Sequence, residues 1–198
     1  IQNQNMIAAG LAGNKKLKLF KSYKDLSVVY SNLKDEGNNT YTKVDGNQNA
    51  TIQMPFTPKT NDPYYLTIGP AFANNGNLNC SFTIGDQQLT QTGDFNSPMI
   101  LNITGGGQKD QKQTLTMTLT NNSLQLDSFG LYHLDMSKYK SLMNDLNEHP
   151  LKLDHFSNTK ISGTIDVPKH ELIMTTIPAQ TGWHVKVDGK TVKPKKAL

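Results

Sequence analysis

Apolar and polar residues alternate along much of the chain. Ile52, Met54 and Phe56 stand at every second position, and so do Leu78, Cys80, Phe82 and Ile84. Leu115, Met117 and Leu119 repeat the pattern with threonines between them. A period of two puts one face of a strand in a core and the other in water, so each run predicts a half-buried antiparallel strand. Leu26 to Tyr30 adds a short β-prone run. Turn residues fall between the runs. Asn121-Asn122, between Leu119 and Leu124, predicts a two-residue hairpin. Asp45-Gly46, Gly85-Asp86 and Asp188-Gly189 mark three further turns. The expected fold is all-β, with an antiparallel sandwich or jelly-roll-like block.

Two segments break this period. Asn3 to Ala12 is helix-compatible, and Gly13 with Asn14 would stop it. Tyr139, Leu142, Met143 and Leu146 recur at i, i+3, i+4 and i+7, which is one apolar helix face. Asp135 or Ser137 would cap this helix and Pro150 would end it. The pattern predicts a β-sandwich domain over 1–134, a linking helix over 135–150, and a second, smaller and truncated β domain over 151–198. Its expected strands are Ile161 to Val167, Glu171 to Pro178, Trp183 to Val187, and Thr191-Val192. Gly105-Gly106-Gly107 reads as a loop between strands.

Composition narrows the function. Only 18% of the 198 residues are charged and 35% are hydrophobic. The excess is uncharged Asn, Gln and Thr, which suits a thin sandwich with wet outer faces. The formal net charge is +4, and every basic residue is Lys. Arg is the side chain that reads phosphate and guanine bidentately, so its absence argues against nucleic acid as a partner. One cysteine allows no internal disulfide. No stretch approaches a spanning helix, and there is no signal-peptide pattern. Ile1 in place of an initiator Met, and the Lys195-Lys196-Ala197-Leu198 end, suggest a piece of a longer protein.

Candidate chemistry is sparse. Cys80 is in phase with Leu78 and Phe82 and is expected to be buried and inert. His133 and Asp135 share a strand face, as two metal ligands would, but the site lacks further partners. The loop from Asp45 to Asn49 has its glycine in the wrong place for calcium. The triple glycine is followed by Gln108, not by Lys and Ser/Thr as a phosphate loop requires. Asp35-Glu36 sits in a polar stretch and does not make an acid–base pair. No catalytic residue, metal or cofactor is expected. The remaining candidates are aromatic: Tyr64 and Tyr65 after Pro63, and Trp183 with His184. Flat rings near strand starts stack on sugars, with Asn and Gln supplying hydrogen bonds. Against this, Trp183 alternates with Val185 and Val187, as a core residue would.

A run of motifs in the second half carries a family resemblance. Leu131-Tyr132-His133-Leu134-Asp135, the helix, Leu151 to Phe156, Ser162-Gly163-Thr164-Ile165, Ile177-Pro178, and Gly182-Trp183-His184-Val185-Lys186-Val187-Asp188-Gly189-Lys190 follow in order. The chain resembles the C-terminal extracytoplasmic region of the YfhO family of bacterial membrane proteins. Asn3-Gln4-Asn5 is similar to a stretch that the family carries upstream. The resemblance is strongest after residue 130 and loose between about 15 and 125. It implies a multi-pass membrane protein of glycosyltransferase type, using lipid-linked sugars to glycosylate envelope polymers such as lipoteichoic acid in Gram-positive bacteria. Its catalytic acid would lie between spanning helices, so none carries over to this chain. The implied role is a non-catalytic accessory domain on the extracellular face of the cell membrane. Its partners would be its own transmembrane domain and an envelope glycopolymer or lipid-linked sugar. The rival expectation is a free-standing secreted carbohydrate-binding or adhesin module.

Overall fold

In the computed structural model the described residues are 1–24, 26–73, 77–92, 94, 98–104, 106–167, 173, 175, 177 and 180–195, with backbone alone at 91 and 92. Two compact units divide the chain, residues 1–148 and 149–198.

The first unit opens with helix α1 (Gln2–Leu11), then β1 (Phe20–Ser22), β2 (Val29–Ser31), β3 (Leu33–Gly37), β4 (Thr40–Lys43) and β5 (Ala50–Phe56). β6 (Tyr64–Ile68), β7 (Ala71–Phe72), β8 (Cys80–Ile84), β9 (Gln87–Thr92) and β10 (Met99–Thr104) follow. β11 (Gln113–Leu119), β12 (Ser123–Leu126), β13 (Phe129–Leu134) and helix α2 (Met136–Leu146) complete it. The strands form three sheets, ordered β1-β13-β6-β10, β2-β5-β11-β8-β9, and β3-β4-β12-β7. Every pairing is antiparallel.

One core unites the sheets. Ile52, Met54, Phe82, Leu115, Met117 and Leu119 enter it from the five-stranded sheet, and Leu66, Ile68, Leu124, Leu126 and Leu131 from the other two. Each lies at an inward position of its alternating strand, as the period-two pattern requires. Burying one such side chain contributes about 1.5–3 kcal/mol, so the core rests on the β5, β8 and β11 runs that alternation marks out.

Asn121-Asn122 does not close a hairpin. β11 pairs with β5 and β8, whereas β12 pairs with β4 and β7 in another sheet. Leu119 and Leu124 are both fully buried, and the chain crosses between sheets to bury them. Asn121 holds this crossing: its Oδ1 accepts from the Asn79 N–H at 2.6 Å and its Nδ2 donates to the Asn77 carbonyl at 2.9 Å. The Gly85-Asp86 turn does join adjacent strands, with Ile84 opposite Gln87. Of the Leu26 to Tyr30 run, only Val29 and Tyr30 lie in a strand.

The two helices share a small second core. Ala8, Leu19 and Leu142 are buried together, with Leu11, Leu17, Phe20, Leu134 and Met143 packed around them. Asn5 fastens α1 to β1. Its Oδ1 accepts the Leu19 and Phe20 N–H groups at 2.9 and 2.8 Å, and its Nδ2 donates to the Phe20 carbonyl. Asp135 caps α2 by accepting the Lys138 N–H, and pairs with Lys21 at 2.7 Å. The helix, expected as a linker over 135–150, thus packs by Leu142 into the first unit. Tyr139 and Leu146 of its apolar face stay exposed.

The second unit contains two hairpins: β14 (Lys152–Phe156) with β15 (Ile161–Thr164), and β16 (Val185–Val187) with β17 (Lys190–Val192). Asp188 and Gly189 both take positive φ, 51° and 76°, which is the two-residue turn their sequence predicts. Gly163 lies where a Cβ would overlap the Lys152 carbonyl oxygen, so only glycine lets β14 and β15 approach. The strand expected from Glu171 to Pro178 lies largely outside the described residues. Among the described residues, none after Leu142 is buried.

Candidate functional site

Strand β6 sends its two tyrosines to opposite sides. Tyr64 points inward, is 1% exposed, and accepts the Lys59 N–H at its hydroxyl. Its ring packs against Phe56 and His133. A buried ring has no face to offer a sugar, so Tyr64 is a core residue and not a platform.

Tyr65 points outward. Its cross-strand neighbours are Tyr132 on β13 and Asn102 on β10, and Ser22 on β1 lies beyond Tyr132. The next row is Gly130, Thr67 and Ile100. Phe20 meets Tyr65 edge-on with ring centroids 5.5 Å apart, next to the helix-covered end of the sheet. The rim of the Tyr132 ring occupies the space above Gly130, where a Cβ would meet it. The outer face of this sheet therefore carries two half-buried tyrosines beside an exposed amide, Asn102, and the Thr67 hydroxyl, which donates to the Gly130 carbonyl. Such a surface can stack a flat ring and hydrogen-bond its substituents. Tyr132 and Asn102 were not legible as site residues, because only register places them beside Tyr65.

Trp183 and His184 belong to the second unit. Trp183 is 37% exposed, contrary to the core position that alternation with Val185 and Val187 implies. Trp183 lies just ahead of β16, whose three residues are all exposed. Trp183, His184, Val185, Thr191, Val192, Lys193 and Pro194 line an open groove of about 360 Å³.

The weaker candidates have structural explanations. His133 Nδ1 faces Asp62 Oδ2 at 3.3 Å, and Asp62 Oδ1 accepts the Met136 N–H at the start of α2. Asp135 is committed to Lys21 and its own helix. His133 and Asp135 thus turn to different partners, and among the described residues no group of three His, Cys, Asp or Glu could hold a metal. Burial alone would raise the Asp135 carboxyl. The Lys21 hydrogen bond, the Lys138 amide and both lysine charges outweigh it and hold the group below the usual range. Cys80 is buried, and burial pushes its thiol up to about 12. Glu36 accepts from Thr42 and Lys34, which lower its pKa.

A second aromatic pair was also hidden in the sequence. Tyr30 on β2 and Tyr41 on β4 stack at 5.2 Å with their hydroxyls 3.4 Å apart. Burial, then the Tyr41 hydrogen bond and nearby charge, raise the Tyr30 hydroxyl pKa, so it stays neutral. These strands belong to different sheets, so this contact staples one edge of the sandwich.

The profile of bacterial membrane protein YfhO matches residues 1–198, the entire chain. The chain belongs to the YfhO family. Among the described residues, no helix is long and apolar enough to cross a membrane. The YfhO chain has no match among curated proteins. Its solved neighbours include the C-terminal CBM6 of LamC, a marine laminarinase from Zobellia galactanivorans, at 9% identity and TM-score 0.38 over 57% of this chain and 97% of that one. A family 35 carbohydrate binding module from Clostridium thermocellum follows at 13% identity and TM-score 0.36, covering 53% and 90%. A family two carbohydrate esterase from the same organism aligns at 10% identity and TM-score 0.33, covering 53% of this chain but only 31% of its own length. Overlaps this partial carry no argument about ligand.

Proposed function

We propose that this chain is a non-catalytic accessory region on the extracellular face of a multi-pass membrane glycosyltransferase that decorates an envelope polymer of the lipoteichoic acid type. In this reading its own transmembrane domain performs the chemistry. The outer face around Tyr65 and Tyr132 guides the acceptor glycopolymer or the lipid-linked sugar. The observation that carries the reading is the register pairing of Tyr65 with Tyr132 across two strands, with the exposed Asn102 beside them, on the face opposite the Tyr64 core. Membership of a membrane-protein family supports the setting.

Calorimetric titration of the 198-residue chain with teichoic-acid fragments tests it. Weak, saturable binding is expected. Tyr65→Ala and Tyr132→Ala should each weaken it about fivefold, since one aromatic stacking contact is worth on the order of 1 kcal/mol. Tyr64→Phe keeps the core ring and should leave binding unchanged. Absence of heat at millimolar ligand would remove the acceptor-guiding role and leave a scaffold.

A further inference from the structure

The two units differ sharply in charge and in covering. After residue 148 there are eight lysines against four acidic residues, so the second unit carries the whole formal excess of +4 and the first is balanced. The second unit also has no buried residue among those described, and its apolar side chains stand open. Trp183 is 37% exposed, Val187 43% and Val192 39%.

Register shows how these features are arranged on the β16–β17 hairpin. Val185 lies opposite Val192, and Val187 opposite Lys190. Register puts Val185, Val187, Lys190 and Val192 on one side, and Trp183, just ahead of β16, lines the groove with Val185 and Val192. Lys186 and Thr191 point to the other. Lys193 borders the Trp183 groove, and Lys195 follows it. Lys190 therefore stands on the apolar side itself, with Lys193 and Lys195 close behind it in the chain, against a single acid, Asp188, at the turn. Two strands alone are marginal in water, and an open apolar face with lysines beside it calls for an occupant that is both apolar and anionic.

We propose that the second unit docks on an anionic phospholipid bilayer, with the Trp183–Val185–Val187–Val192 face at the headgroup boundary and the lysines beside it on lipid phosphates. Trp prefers that boundary, because its ring is apolar and its N–H is wet. Lysine stems lie along apolar surface while their ammonium groups reach the phosphates. Each lysine near an anionic surface adds a modest, salt-sensitive attraction. The proposal rests on the membrane character of the family and not on the glycan reading.

Trp183 is the only tryptophan in the chain, so its fluorescence reports this face alone. The full chain would be mixed with vesicles of phosphatidylcholine, or of phosphatidylcholine and phosphatidylglycerol in equal parts. Trp183 emission should shift to the blue and the protein should float with the mixed vesicles only, and raised salt should reverse both. The combined variant Lys190→Gln, Lys193→Gln, Lys195→Gln should weaken binding about a hundredfold, at about fivefold for each lysine. Val187→Asp should abolish the shift. Tyr65→Ala should leave vesicle binding intact, which separates this proposal from the glycan-guiding role. Unchanged emission with the mixed vesicles overturns the proposal. So does an equal shift with neutral vesicles, a shift caused by soluble glycan, or concentration-dependent self-association that buries Trp183 without lipid.

Discussion

Cys80 sits in β8 opposite Leu119 of β11, inside the main core. Its thiol, raised by burial from 9.0 to about 12, is expected to resist thiol-specific reagents until the protein unfolds. The folded pKa is the higher one, so the neutral thiol contributes fully below pH 9. That contribution is lost as pH rises from 9 through about 12. Denaturation midpoints across this alkaline range, with Cys80→Ala as reference, should show the loss in the parent only. Asn5 is the second residue with a readable consequence. Replacing it by Ala leaves the Leu19 and Phe20 amides without their acceptor, at a cost of about 1–3 kcal/mol. The loss should appear first as faster hydrogen exchange at residues 19 and 20, before any global change.

At the scale of elements, α2 depends on its cap. Asp135→Ala removes the acceptor of the Lys138 N–H and the Lys21 partner, and should lower stability by about 0.5–2 kcal/mol. Asp135→Asn keeps a capping oxygen and should cost less. Because the folded carboxyl titrates below its ordinary value of 3.8, its contribution is complete above that pH and disappears as acid takes it through the lowered folded value. Acid unfolding curves of parent and Asp135→Asn should therefore converge at low pH. The β14–β15 hairpin depends on Gly163 instead. A methyl there meets the Lys152 carbonyl, so Gly163→Ala should break the cross-strand contacts between Lys152 and Thr164, read as loss of their nuclear Overhauser effects. The first unit should be unaffected.

The whole molecule is asymmetric. The first unit has two hydrophobic clusters and a neutral balance, while the second has hairpins with open apolar faces and all of the net charge. Proteolysis should cut between Asn147 and Leu151, where α2 has ended and β14 has not begun, and release a folded fragment of residues 1–148. Met117→Ala, at a fully buried position, should destabilise that fragment by about 2–5 kcal/mol in chemical denaturation. It should leave lipid binding by the second unit unchanged below its own transition.

Period-two alternation determined which strands are half-buried, because Ile52, Met54, Phe82, Leu115, Met117 and Leu119 need only a core on one side, whichever strand lies beside them. Helix periodicity and the Asp135 cap located α2 for the same local reason, and Asp188-Gly189 specified its turn through its own backbone preference. Partnership was not local. Asn121-Asn122 has the composition of a hairpin turn, yet the competing need to bury Leu119 and Leu124 sends the chain to another sheet. Tyr64 and Tyr65 are adjacent and chemically identical, and only their side of β6 makes one core and the other surface. Tyr132 and Asn102 joined Tyr65 through strand register, which links residues far apart in sequence. Trp183 reads as core by its spacing from Val185 and Val187, yet it stands exposed ahead of β16. A sequence states which side chains prefer to leave water; the tertiary structure decides which of them are covered, because covering requires surface from elsewhere in the molecule or beyond it.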